Sequence, residues 1–127
     1  MPGPARAGAF VYALDLERVA SFYQQLLSMR LLHGSSERWV LESPDLQLLI
    51  HAIPTEQWPA AGRMLPVVPR HQTVKLFFTV PNLAAAAALA VELGGGMLPE
   101  RYAGPGFQAA NAYDPEGNVL QLREQMP

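Results

Sequence analysis

Apolar and polar positions follow two periodicities in this chain, and the two appear in the same order twice. Ala9-Phe10-Val11-Tyr12-Ala13-Leu14 is a short apolar run that Asp15 breaks. From there Leu16, Val19, Ala20, Tyr23, Leu26 and Leu27 recur at the three- and four-residue spacing of one helix face. This pattern predicts a strand over 9–14, a helix over 16–27 N-capped by Asp15, and strands over 30–33, 37–42 and 46–52. The second half predicts a strand over 74–80, a helix over 83–93 capped by Asn82 and ended by Gly94-Gly95-Gly96, and strands over 97–100, 107–113 and 119–123. Between the halves, residues 54–72 carry Pro54, Pro59, Pro66 and Pro69, fit neither periodicity and read as a crossing linker.

The two caps lie at an offset of 67 (82 − 15), and on that offset both halves read strand, cap, helix without a gap. The chain is therefore expected to be one domain, 1–127, built from a β-α-β-β-β module used twice: module 1 over about 8–53, the linker over about 54–72, and module 2 over about 73–125. Duplication suits such a unit, because each sheet exposes one face that a second unit can cover. Near the C-terminus, Asp114-Pro115-Glu116-Gly117-Asn118 is a tight turn in which Gly117 supplies a positive φ. It feeds Val119-Leu120-Gln121-Leu122, where the strand alternation sets Gln121 opposite to Leu120 and Leu122.

Composition narrows the classes open to this pattern. With 127 residues, half of them hydrophobic, the chain can bury a core without staples. Nine basic and eleven acidic side chains, in no run of either sign, give a net charge of −2 and no electrostatic footprint for nucleic acid. The absence of cysteine removes disulfides, thiolate metal sites and cysteine nucleophiles. No apolar stretch reaches bilayer length and the N-terminus has no signal-peptide run, so a soluble, cytoplasmic protein without a membrane partner is expected. Gly94-Gly95-Gly96 follows a helix and is a cap, not a phosphate cradle, and the serines sit in no nucleophile elbow.

The strand-cap-helix stretch over 10–27 and the turn-strand stretch over 114–122 together resemble the vicinal-oxygen-chelate superfamily, which contains glyoxalase I, the bleomycin-resistance proteins and the extradiol dioxygenases. The resemblance covers residues 9–124. It implies an α+β fold in which two tandem βαβββ modules form paired curved mixed sheets around a pocket, and a homodimer. Metal-using members of that superfamily bring four side chains from the leading and closing strands onto one divalent ion. The matching positions here are Gly8, His51, Lys75 and Gln121. Glycine has no donor atom, and a lysine ammonium places a positive charge where the cation would sit, so no metal and no cofactor are expected. A shifted register would bring His71 inward in place of Lys75. Ser28 stands where the family often has glycine after the first helix.

Stepping by two along the strands from these positions selects Phe10, Tyr12, Phe77 and Thr79, with Leu49, His51, Val119 and Gln121 from the closing strands. An apolar cavity with a few placed polar groups is the usual makeup of a small-molecule site. The expected ligand-binding set is Phe10, Tyr12, Trp39, Leu49, His51, Lys75, Phe77 and Gln121. In it Lys75 would be the counter-ion for a carboxylate, phenolate or enolate, Gln121 would orient the ligand, and Gly8 would leave room beside the backbone. Each residue has a plainer reading: Lys75 with its ammonium in water, His51 as a structural hydrogen-bonding residue, Trp39 as core, and Trp58, which in the linker would cover the pocket mouth or a subunit contact, as packing. Arg101, Tyr102 and Gly104-Pro105-Gly106 read as a mobile rim.

The expected function is metal-free binding of a small, partly aromatic or anionic molecule, with sequestration of an antibiotic or metabolite as its purpose. The alternative is a lyase, isomerase or dioxygenase of the same superfamily. It would use an atypical metal site, or a metal-free mechanism with His51 as base and Lys75 stabilising an enolate.

Overall fold

The computed structural model describes residues 5–54 and 74–127. The linker beyond Pro54, with Trp58, and the alternative ligand His71 lie outside the described residues. The chain splits into two compact units on either side of position 64.

The first unit runs β1 (Gly8–Ala13), α1 (Leu16–Leu26), β2 (Arg30–Gly34), β3 (Arg38–Glu42) and β4 (Gln47–Ala52). Its sheet has the order β1-β4-β3-β2, with β1 and β4 parallel and the other pairs antiparallel. The parallel pair is joined through the helix, because parallel neighbours need a long crossover where antiparallel ones need only a turn. Helix α1 packs on β1, β3 and β4. Its Leu16, Val19, Ala20, Phe22, Tyr23 and Leu26 are buried, as are Leu41, Leu48 and Ile50 on the sheet face beneath it.

The second unit runs β5 (Phe77–Thr79), α2 (Leu83–Glu92), β6 (Gly96–Met97), β7 (Tyr102–Gly104), β8 (Phe107–Tyr113) and β9 (Val119–Gln125). The order is β5-β9-β8-β6, with β7 paired to β8 and β5 parallel to β9. Leu83, Ala86 and Ala90 of α2 are buried, as are Ala110, Ala112, Leu120 and Leu122 of the sheet. Small residues on helix and strand let the two backbones approach closely. Both units thus show the expected α+β pattern of two helices on two mixed sheets.

Three details differ from the sequence reading. The strand expected over 97–100 is confined to Gly96–Met97. The leading strand of the second unit covers only Phe77–Thr79, so Lys75 precedes it. The segment expected as a mobile rim is a hairpin: Tyr102, Ala103 and Gly104 pair with Ala109, Gln108 and Phe107, and Gly106 turns the chain at φ +76°. Arg101 Nη1 donates to the carbonyls of Leu98, Pro99 and Glu100, so its guanidinium closes its own loop.

Both helices end in the same hydrogen-bond pattern, in which a residue of positive φ lets two backbone N–H groups return to the last turn. After α2, Gly94 (φ +94°) and Gly95 donate to Val91 and Ala90. After α1, Ser28 and Met29 donate to Gln25 and Gln24, and Ser28 carries φ +51°. Ser28 is the non-glycine residue with positive φ among the described residues. Ser28→Gly is expected to raise the unfolding free energy by about 1 kcal/mol, because the Cβ penalty of the left-handed region is removed. Urea denaturation measures it.

The turn before β9 is built on Asp114, which is fully buried. Its carboxylate accepts from the backbone N–H of Glu116 (2.9 Å) and Asn118 (3.0 Å) and from Asn118 Nδ2 (2.8 Å), while Gly117 takes φ +86°. Asp114→Ala strands these donors in the interior and is expected to cost about 2–3 kcal/mol, also read from urea denaturation.

Candidate functional site

Each sheet has one face under its helix and one face away from it, and the pleat assigns every strand residue to one or the other. In the first unit Gly8 pairs with Gln47, Phe10 with Leu49 and Tyr12 with His51, so these six share the open face. Phe10 and Tyr12 are 58% and 59% exposed. Their rings stack with centroids 6.1 Å apart, and the Tyr12 ring lies 5.9 Å from the imidazole of His51. His51 Nδ1 is 2.9 Å from the Ala52 carbonyl. A carbonyl only accepts, so Nδ1 carries the proton, and Nε2 of the neutral ring remains as an acceptor.

Trp39 is not part of this face. It pairs with Ile50, and Leu41 of the same strand pairs with Leu48, which sets Trp39 on the helix side of the sheet. Of the two readings open for Trp39, the register supports packing and not ligand stacking. Gly8 also differs from expectation: a Cβ there would come 2.8 Å from the Gln47 backbone oxygen. The space beside Gly8 is bounded by β4 and is not free for a ligand.

In the second unit Phe77 pairs with Gln121 and Thr79 with Arg123 on the open face, and across β8 and β9 Asn111 pairs with Gln121 and Ala109 with Arg123. Lys75 is exposed, and its ammonium donates to Asn111 Oδ1 at 3.2 Å. Since β9 lies between β5 and β8, the lysine stem reaches over β9 to make this bond.

Arg123 was not anticipated from the sequence. Its guanidinium carbon sits 3.8 Å from the Phe77 ring centroid and 4.3 Å from that of Phe107, and its Nε donates to Gln121 Oε1 at 2.8 Å. The neighbouring Glu124 faces the other way and accepts from the Leu83 backbone N–H at 2.7 Å, capping α2. The strand alternation that carries Gln121 to the open face carries Arg123 there too, and that was the available signal.

The register also corrects the expected equivalence of the halves. Phe10 and Phe77 hold the same place relative to the helix caps, and their partners are Leu49 and Gln121. The closing strands therefore correspond at an offset of 72 (121 − 49), not the 70 (121 − 51) expected from matching His51 with Gln121. The counterpart of His51 is Arg123. A slip of two leaves every side chain on the face assigned to it.

The four positions matching the superfamily's metal ligands do not supply a donor set. Gly8 has no donor atom, Lys75 is a cation, Gln121 Oε1 is engaged by Arg123, and His51 contributes one ring nitrogen. Among the described residues no three His, Cys, Asp or Glu side chains cluster as a metal site. A solvent-open cavity of about 550 Å³ lies at the ends of β5 and β9, lined by Thr79, Val80, Pro81, Gln125, Met126 and Pro127. It holds none of the expected polar site residues.

Lys75→Met is expected to leave the unfolding free energy unchanged within about 0.5 kcal/mol, since the side chain is exposed. Thermal denaturation followed by circular dichroism measures this.

Comparison with known proteins places this geometry. The model of the glyoxalase-like domain matches residues 9–123. No curated protein matches the sequence. Among solved structures, a glyoxalase/bleomycin resistance protein/dioxygenase family enzyme from Burkholderia phytofirmans PsJN is similar at 16% identity, covering 97% of this chain and all of that one, with a TM-score of 0.70. A glyoxalase/bleomycin resistance protein from Albidiferax ferrireducens T118 is similar at 21% identity, with 94% and 97% covered and a TM-score of 0.68. The fosfomycin resistance protein FosX from Mesorhizobium loti is similar at 16% identity, with 99% and 95% covered and a TM-score of 0.65. At these identities the likeness shows the fold.

Proposed function

We propose that this chain, which belongs to the glyoxalase-like domain family, binds a small molecule on the open faces of its sheets without a metal ion. The observation that carries the reading is the engagement of the expected ligand positions. Lys75 and Arg123 occupy the amide oxygens of Asn111 and Gln121, so the oxygens that would attract a cation already face one. On the open face of the first unit, Phe10, Tyr12, Leu49 and Val40 form an aromatic and apolar patch beside the imidazole of His51, with Arg38 paired to His51 and Glu42 to Gln47 at its border. Such a surface fits a partly aromatic ligand.

Sequestration of an antibiotic or metabolite by a cytoplasmic homodimer agrees with this chemistry, because holding a ligand needs surface and orientation and no strong electrophile. His51 and Lys75 remain the candidates for any acid-base step, with Nε2 of His51 as the acceptor.

Protein purified without chelator is expected to contain far less than one divalent ion per chain, and its melting temperature to be unmoved by EDTA. Elemental analysis and a melting curve with and without chelator measure both. Near-stoichiometric zinc, nickel, iron or manganese would overturn the metal-free reading.

A further inference from the structure

Four polar side chains on the open face of the second unit share one property that none shows alone. Arg123 Nε donates to Gln121 Oε1, and the Lys75 ammonium donates to Asn111 Oδ1. Neither cation has a lone pair to offer, so both carboxamides must present their oxygens to them, and the two NH₂ groups point elsewhere. Asn111 and Gln121 are cross-strand partners, which keeps the four groups together. What the four groups turn to a ligand is chiefly donors: the two carboxamide NH₂ groups, the rest of the Lys75 ammonium, and the Nη edge of Arg123, while each amide oxygen faces a cation. Among the described residues the ion pair present is Arg30 with Glu42, in the other unit, so neither Lys75 nor Arg123 has a carboxylate partner there.

The guanidinium of Arg123 is also held in place. Phe77 and Phe107 cover it at 3.8 and 4.3 Å, and Gln121 holds its Nε. Ala109, paired with Arg123, is fully buried, so the group stands on a packed floor. Rings on the faces of a guanidinium leave its edge free, and an edge whose rotamer is already fixed loses little entropy on forming a bidentate pair.

We propose that Arg123 is the anion-binding residue of this protein. It takes the oxyanion of a small ligand, a carboxylate or a phosphorus oxyanion, along its Nη edge, with Lys75 and the Asn111 and Gln121 amides as further donors. The proposal rests on the small-molecule-binding reading and narrows it to a ligand class and a specificity-determining residue.

The test is calorimetric titration of the full chain with benzoate, phenylphosphonate, inorganic phosphate and the neutral benzamide, at fixed ionic strength. The variants are Arg123→Met, Arg123→Lys and, as a control on exposed charge, Arg18→Gln, each checked for folding by circular dichroism. Wild type is expected to bind benzoate or phenylphosphonate at least tenfold tighter than benzamide, and Arg123→Met to lose that factor, about 1.4 kcal/mol. Arg123→Lys should keep more affinity for the phosphorus oxyanion than for benzoate, because a point charge replaces a planar fork. Arg18→Gln should behave as wild type. Binding of inorganic phosphate as tight as phenylphosphonate assigns the site to the free ion, and tighter binding of the organic anions assigns it to a ligand with an apolar body. A second readout is the Arg123 Nε–H resonance, expected to shift with the anions and not with benzamide.

Benzamide binding as tightly as benzoate, or Arg123→Met retaining the preference, overturns the proposal while leaving metal-free binding intact. No binding of any anion at about 10 mM, weaker than roughly 3 kcal/mol, also overturns it. Anion binding that disappears with EDTA, in protein carrying stoichiometric metal, instead removes the metal-free reading on which it rests.

Discussion

In each unit the hydrogen bonds between the leading and the closing strand, which run parallel, decide which side chains share a face and which meet across it. Gln47 N–H donates to Ala7 and Gln121 N–H to Leu76, and from these bonds the pairs Phe10 with Leu49 and Phe77 with Gln121 follow. A parallel pair requires a crossover, and the capped helix is that crossover. Once the helix lies on one face, Leu48, Ile50, Leu120 and Leu122 must be buried, and the residues between them must face away. The caps at Asp15 and Asn82 and the positive φ at Ser28 and Gly94 fix where each helix starts and stops. The register of the site is thus set by backbone features remote from it.

On the face so defined, hydrogen-bond direction carries the chemical argument. A carboxamide is ambivalent, able to coordinate a cation through oxygen or to donate through nitrogen. Arg123 and Lys75 remove that ambivalence for Gln121 and Asn111. The same contacts that set a cation against each amide oxygen turn the amide N–H donors the other way. The two proposals, metal-free binding and a preference for an oxyanion, both rest on this one arrangement.

Much of this was legible in the sequence, because the information needed was periodic. The two helices, their caps, the duplication and the open-face set Phe10, Tyr12, Leu49, His51, Phe77 and Gln121 all follow from counting in steps of two or of three and four. Trp39, expected in the ligand set, carried the signal against that reading: it stands two residues from Leu41, so both share a face, and Leu41 belongs to the core. Register between strands distant in sequence was not legible. The halves were matched by chain distance from His51 to Gln121, but β6 and the β7–β8 hairpin make the second unit longer, and hydrogen bonds set the correspondence at 72. Insertions of that kind cost little in surface turns, so the chain leaves no mark of where they fall.

That two-residue slip hid the equivalence of Arg123 and His51, and the reason is physical. A shift of one would have moved every side chain to the wrong face and contradicted the burial pattern at once. A shift of two preserves every face, so nothing in the apolar pattern betrays it, and only the identity of the cross-strand partner changes. With the register set by hydrogen bonds, His51 and Arg123 occupy equivalent places beside Tyr12 and Thr79. The duplicated frame therefore holds an imidazole, its Nδ1 on the Ala52 carbonyl, in one unit and a clamped guanidinium in the other. Both lie on faces whose substitutions leave the helix-side core untouched, which allows two copies of one backbone plan to carry different chemistry.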